Sequence, residues 1–454
     1  MIPIQQMEET KLHKAKGIIS SLRDLILFAS LCLSLASLSA EAETKAINLE
    51  TVLRLAKAQN LDVQIARARF SEAKAVHESS RAQFFPWLSP GISYRRHDNL
   101  IQDVSGNIIE VHKQSYSPGV TLGAQLDIGD ALFKSLATKQ QAEAAGHFTE
   151  AQRQASVFIA AQNYFDLLFA QAALHVAEQA SHISTNYESQ ITRAVEAGLA
   201  FKGDQLRVRV QSENDQVAVR RARERQRLAA SQLAQTLHLD ATIEFTGDES
   251  ELVPVTITET NAALFSLVQQ ALAARPEIKQ GRATVAAATQ EKKGATIGPL
   301  IPSLGAQVFG GALGGDSDAG PSRFGEQEDI VAGLSWKIGP GGLFDFSREH
   351  TAQARLDTAK LFSAKAADQV AREVVDAAIR VQSLNEQLDS ARRAVEAAEE
   401  GLRLTQLRKE FAVGIVLEAI QAEQDLTRAR ADYLRIIAEI DKAQYALRYA
   451  LGKL

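Results

Sequence analysis

The side chains with the types to do chemistry are few, and their spacing argues against catalysis. Past residue 42 the histidines are His77, His97, His112, His147, His175, His182, His238 and His350, with no paired metal-ligand spacing among them. His175 and His182 are seven apart, two helical turns rather than one, and read as surface residues. The glycines from Gly310-Gly311 to Gly314-Gly315 mark a loop tip, because no lysine-bearing helix start follows to make a phosphate cradle. The basic run Arg220 to Arg227 is broken by Glu224 and preceded by Glu213 and Asp215. With a net charge of -5 it reads as a solvated helix face, and nucleic acid is excluded as a main partner. No catalytic residue, metal or cofactor is expected. What remains is a pair of carboxylates, Asp204 and Glu418, at matching places in the two halves of the chain. Each opens a helix after a tight turn, where negative charge complements the helix dipole.

The turn before Glu418 lies in Arg408 to Glu423, RKEFAVGIVLEAIQAE, and it interrupts a long apolar seam. Ahead of it, Val374, Val381, Leu388, Val395 and Leu402 recur every seventh residue, with Ala377, Leu384, Ala391 and Ala398 between them. Beyond it, Leu426, Tyr433, Ile440 and Leu447 alternate with Ala429, Ile436, Ala443 and Ala450. This is the a/d pattern of helices packed along their length, so the turn is the tip of a helical hairpin. An equivalent turn sits near Ala197 to Gln205. Hydrophobic residues make up 45% of the chain but aromatics only 6%, which favours thin, closely packed helices over a bulky core.

The halves are one motif written twice. Leu49, Val52, Leu53 and Ala56 match Leu264, Leu267, Val268 and Ala271, while Leu233 and Leu237 match Leu447 and Leu451. Repeat 1 covers 48–240, a strand-like acidic connector 241–260, and repeat 2 covers 261–454. Each repeat opens with a short helix behind a capping residue, Asn48 or Asn261, and a second helix from Leu61 or Pro276. Those helices end before Phe85-Pro86 and Ile301-Pro302, and the apolar period then changes from 3.6 to 2. Val120, Leu122, Ala124, Leu126 and Ile128 alternate with polar or small neighbours, as do Ile330, Ala332, Leu334, Trp336 and Ile338. The spacing predicts strands near 87–97, 117–128, 303–312 and 329–338, joined by polar loops at 98–115 and 310–329. Long helices follow, about 131–197 and 346–411, each on the order of 100 Å.

Residues 1–42 have the parts of a secretory signal: Lys11, Lys14, Lys16 and Arg23, an apolar run Leu25 to Leu38, then Ala40-Glu41-Ala42. The mature chain is expected to begin at Glu43. The only cysteine, Cys32, follows Leu31 where a lipoprotein signal needs a small residue, so lipidation is not expected. No later stretch carries about 18 continuous apolar residues, so a membrane would be entered as strands. Four strands do not close a barrel, and other copies of the chain must complete it: two copies give eight strands, three give twelve. The competing reading is a secreted periplasmic coiled-coil structural or adaptor protein without a pore, its hairpins packed on a soluble core.

At this point the sequence resembles the TolC-type outer-membrane efflux channels, the outer-membrane factors of tripartite efflux or type I secretion systems. The resemblance spans essentially the whole mature chain. It is carried by LEAIQAEQDLTRARADYL (Leu417 to Leu434), AGLAFKGDQL (Ala197 to Leu206), the terminal Ala450-Leu451-Gly452, and the strand starts at Phe85-Pro86 and Ile301-Pro302. It implies a mainly α fold with a transmembrane β part. Long antiparallel helical hairpins would form an α-barrel, and four strands per chain would complete a trimeric twelve-stranded β-barrel in the outer membrane. It further implies a homotrimer in outer-membrane lipid, with a periplasmic adaptor that links it to an inner-membrane pump. Asp204 and Glu418 would lie at the pore constriction, where like charges around a symmetry axis repel each other and attract cations. Gln421 takes a place that is acidic in some members, which weakens the case for strong cation selectivity. Gly198, Leu199, Val413 and Gly414 are the expected adaptor-contact residues, although Ala412 stands where the first repeat has Gly198.

Overall fold

A computed structural model describes residues 44–240, 242–248, 252–255, 257, 263–317, 320–410 and 416–454. After strand β1 (Thr44–Ile47) come helices α1 (Leu49–Gln59) and α2 (Leu61–Ala82), strands β2 (Trp87–Gln102) and β3 (Ile108–Asp127), and helices α3 (Ile128–Glu196) and α4 (Lys202–Leu237). Strand β4 (Glu244–Gly247) follows. The order then recurs with α5 (Leu264–Ala274), α6 (Pro276–Thr296), β5 (Ser303–Ser317), β6 (Gly320–Ser335), α7 (Phe346–Glu410) and α8 (Val416–Ala450). Asn48 caps α1 by accepting from Thr51 N at 2.9 Å. Asn261 lies outside the described residues, and α5 starts behind Ala263 without a side-chain cap.

The four long strands form one antiparallel sheet in the order β2-β3-β5-β6. They are longer than the alternation predicts: β2, β3, β5 and β6 run 16, 20, 15 and 16 residues, and much of 98–115 and 310–329, expected as loops, is ladder. The hairpin β2–β3 stays paired up to Gln102↔Ile108, and β5–β6 up to Ser317↔Gly320. The physical reason is that polar and apolar residues mix on both faces of this part of each hairpin: Leu100 and Ile101 are neighbours, as are Ile108 and Ile109, among charged side chains. Arg96 and His112 both pair with Asp98, at 2.8 and 3.0 Å. A backbone ladder holds such a ribbon without leaving an apolar alternation to read. At the other end β6 stops at Ser335, three residues short of the expected Ile338, because Lys337 O accepts from Leu343 N at 2.8 Å and turns the chain.

Below the sheet the helices make a rod. The 69 residues of α3 span about 100 Å, and two shorter helices cover its length in series. Near the sheet α2 runs along α3, with Ser80 Oγ 2.9 Å from Thr138 Oγ1 and Thr149 Oγ1 donating to Ala66 O at 3.1 Å. Farther down α4 takes over, tied by Asn163 to Thr236 at 2.6 Å and by Gln205 to Thr192 at 3.0 Å. The two meet end to end at Asn60. Its Oδ1 accepts from Asp62 N and Val63 N to cap α2, while its Nδ2 donates to Thr236 O in the last turn of α4. Repeat 2 makes the same splice with Arg275, which is 3% exposed. Its guanidinium donates to Tyr449 O in the last turn of α8 and to Glu277 in the first turn of α6, each at 2.9 Å. It also meets Glu373 of α7 at 3.1 Å. A buried cation so surrounded costs several kcal/mol if left unpaired, so each partner is required.

The cores sit at the height of these splices. One gathers Val52 and Ala56, Ala160 to Leu168 of α3, Leu233 and Leu237, Ile47 and Phe245. The other gathers Leu267, Ala271 and Ile278 with Val374, Val381, Leu384, Ile440 and Leu447, so the seam predicted on α7 and α8 is buried there. Nearer the tip Leu388, Val395 and Leu402 are half-buried. Helix α3 is also long and apolar enough in composition to cross a membrane, but its apolar middle is this core. Strands β1 and β4 pair in parallel, and Gly247 N donates to Gln171 Oε1 at 3.0 Å, which lays the connector along the rod. Val255 N donates to Asp441 Oδ1 of α8 at 2.7 Å and fastens its far side.

The two repeats end their last helices alike, with one difference. Gly452 (φ 69) closes α8, and Lys453 N reaches back to Arg448 O at 3.0 Å. In the first repeat the same left-handed position holds His238 (φ 54), with Leu239 N on Ala234 O at 2.9 Å. A Cβ in that conformation costs about 1–2 kcal/mol. His238→Gly is therefore expected to stabilise the protein by about 1 kcal/mol, read as a raised denaturation midpoint.

Candidate functional site

The helical tips bring together most of the residues singled out in the sequence. At the first tip α3 ends in a Schellman turn: Leu199 N donates to Ala194 O at 2.8 Å and Gly198 N to Val195 O at 3.0 Å. Gly198 has φ +74 with open space around it, so glycine is required there by conformation and not by crowding. Leu199 and Phe201, 83% and 74% exposed, project from the turn. Asp204 lies in the first turn of α4, and Glu418 holds the corresponding place in α8. Val413 and Gly414 lie outside the described residues. Gln421 is exposed one turn beyond Glu418.

Each acidic residue has an arginine that the sequence reading did not assign to it. Arg207, one turn on, meets Asp204 at 3.5 Å, and Arg408, from the last turn of α7, meets Glu418 at 3.0 Å across the hairpin. Both pairs are solvated, and each contributes at most about 1 kcal/mol. Their effect is on charge: the two carboxylates are balanced locally by two guanidinium groups. The spacing Asp204-x-x-Arg207 was visible as an i,i+3 pair. The partner of Glu418 comes from the opposite helix, and only the fold reveals it.

Just above the tips the two hairpins meet. Ile191 of α3, Val208 of α4 and Ile420 of α8 are buried together, with Tyr187, Val195 and Val416 packed against them. One turn further lies a carboxyl to which the sequence pattern gave no role. Glu423 is 4% exposed, and burial followed by the nearby Asp215 carboxylate pushes it up to about 7. Asp215 is itself raised by burial, and Tyr187 is raised by burial and then by Asp204 and Glu423. The available signal was position: Glu423 falls between Ile420 and Leu426 on the buried stripe of α8. The histidines stay apart from this region or pair locally, His175 with Gln179 at 2.9 Å and His182 with Asn186 at 3.3 Å. Among the described residues no three His, Cys, Asp or Glu side chains converge as a metal site would require.

A four-stranded sheet standing on a long helical rod, with both motifs built twice, defines a class of outer-membrane channel protein. The sequence profile of the outer membrane efflux protein family matches residues 52–237 and 267–453, and the chain belongs to that family. It is an outer-membrane protein with a periplasmic extension, in a family of channels rather than enzymes. Protein CyaE of Bordetella pertussis is 27% identical over 418 residues, 88% of this chain and 79% of that protein. In structure the chain is similar to the Campylobacter jejuni CmeC outer membrane channel, with a TM-score of 0.79 at 16% identity, covering 92% of this chain and 90% of that one. It is also similar to the open state of the Neisseria gonorrhoeae MtrE outer membrane channel, with a TM-score of 0.70 at 18% identity over 89% of each chain.

Gly198→Ala tests the tip geometry. The left-handed φ is expected to cost about 1–2 kcal/mol of local stability, read as faster amide exchange at Leu199 and its neighbours with exchange in the Val52 to Leu237 core unchanged.

Proposed function

We propose that three copies of this chain form an outer-membrane channel that gives substrates passive exit and is gated at the periplasmic helical tips. The observation that carries this reading is the open sheet. Its edge strands β2 and β6 are each 16 residues long, and Leu88, Ile92, Ile330 and Leu334 on them are more than half exposed. Unpaired edge groups in lipid cost several kcal/mol each, whereas β2 of one copy laid on β6 of the next removes every edge. Three copies make a twelve-stranded barrel with room for a conduit, and the rods continue it as an α-barrel. The exposed Gly198 and Leu199 turn is the surface offered to a periplasmic adaptor and, through it, to an inner-membrane pump. Val413 and Gly414 are proposed for the same role on the second tip.

Asp204, Glu418 and Gln421 line the constriction in this reading. Because Arg207 and Arg408 offset the two carboxylates and Gln421 is neutral, the closed tip is a weak cation filter. Purified protein in a planar bilayer is expected to give discrete, long-lived conductance steps. Glu418→Ala and Asp204→Ala each leave an arginine unbalanced and shift the reversal potential in a salt gradient towards anions. Folded wild type and folded double variant that both stay silent would overturn the channel reading. Gly198→Pro, which forbids φ +74 and removes the donor to Val195 O, is expected to abolish efflux while trimers remain in the outer membrane. Unchanged export would remove the tip from the mechanism.

A further inference from the structure

Glu423 is buried in the seam just above the tips. Among the described residues its Oε1 is sealed from solvent and meets no donor. It lines a cavity of about 410 Å³ where α8 meets α3 and α7, opposite Tyr187 and Gln190 of α3 and Leu402 and Gln406 of α7. Asp215 of α4 bears on it electrostatically; that carboxylate accepts from Gln211 Nε2 at 2.9 and 3.1 Å and is also bonded to Ser184 of α3. Gln211 Oε1 in turn accepts from Gln424 of α8 at 2.7 Å, so the polar chain runs from one hairpin to the other. The arginines of this region are engaged elsewhere: Arg207 with Asp204, Arg408 with Glu418, and Arg403 with Glu400. The charge that adds to the effect of burial on Glu423 is that of Asp215, and it has the same sign.

We propose that Glu423 carries a proton in the closed seam, that Asp215 is the like charge that helps to keep it there, and that this proton closes the seam where the two helical hairpins meet. Two neighbouring carboxylates without a cation favour the singly protonated state, because protonating Glu423 removes its own desolvation cost and the repulsion between the pair. The direction of the effect follows from Glu423. Its folded value of about 7 is above the ordinary 4.5, so the closed seam binds the proton more tightly than an open one. That stabilisation is fully present below about pH 4.5 and is lost as pH rises through about 7. Above that point two charges stand between α3, α4 and α8, and the seam loosens. The seam holds the buried Ile191, Val208 and Ile420 that lead to the tips, so its loosening frees the hairpins to separate.

The test is amide exchange of the full-length protein in detergent across a pH series spanning 7, with wild type, Glu423→Gln and Asp215→Asn compared at each pH. Segments 183–191 and 419–426 are expected to match Glu423→Gln on the acid side and to exchange on the order of tenfold faster in wild type on the alkaline side. Asp215→Asn removes the like charge and is expected to move the wild-type midpoint down. Wild type that tracks Glu423→Gln at every pH, or a midpoint that Asp215→Asn leaves in place, would overturn the proposal. Should Glu423→Gln not assemble, the Asp215→Asn shift decides alone. Only the link to gating rests on the channel reading, and conductance over the same series separates the two. A pH-dependent seam with pH-independent conductance keeps the proton and removes this seam from gating.

Discussion

A backbone amide or carbonyl in hydrocarbon has no water to turn to, and that single constraint sets the plan of this protein. Four strands satisfy their inner neighbours and leave the outer edges of β2 and β6 unpaired. In the proposed channel, closure by further copies makes up that deficit, and the position of the rods follows from closure. Helix α3 leaves β3 without an intervening loop, Asp127 ending one and Ile128 beginning the other. The direction of the strands is therefore handed straight to the helices. Gly129 makes this possible, because its backbone packs directly on Gly298 and leaves no space for a side chain.

The rod solves a second problem, that of covering a helix of 69 residues with shorter ones. Helix ends carry unpaired donors and acceptors, and two ends buried face to face double the debt. The repeats settle it with different chemistry at the same place. In the first, the Asn60 amide uses its oxygen on one helix and its nitrogen on the other. In the second, Pro276 needs no donor partner at the helix start, and Arg275 supplies the missing donor to Tyr449 O. The ring of Tyr449 lies 4.4 Å under the guanidinium and stacks on Phe158 of α3 at 4.8 Å, so this splice also joins the two halves.

How much of this was legible depended on whether a pattern had one wet face and one dry one. The heptads from Val374 to Leu384 and from Ile440 to Leu447 could be read because alanine and branched residues alternate with charge, and these positions are buried. The strand starts could be read for the same reason. The outer halves of the hairpins could not, since Arg95 to Asn99 and Gly325 to Asp329 offer no contrast between faces. Strand β1 is four residues, TKAI, with a partner two hundred positions away, and nothing local announces it. At the tips, the placement of Asp204 and Glu418 in first turns followed from the turns themselves. Arg408 as a partner and Glu423 as a buried acid depend on helices that meet only in three dimensions.

The pairing of β1 with β4 bears on how such a chain is assembled. By residue 247 a chain delivered from its N-terminus already contains every buried member of the first core except Tyr445. The first core is thus closed by the two ends of its own repeat. The hairpin β2–β3 of that repeat is in the opposite position. A two-stranded ribbon is marginal alone in water, and the sheet gains its fourth strand only at residue 335. The sheet is thus complete in sequence before the second core of the rod, which waits for Ile440, Leu447 and Leu451.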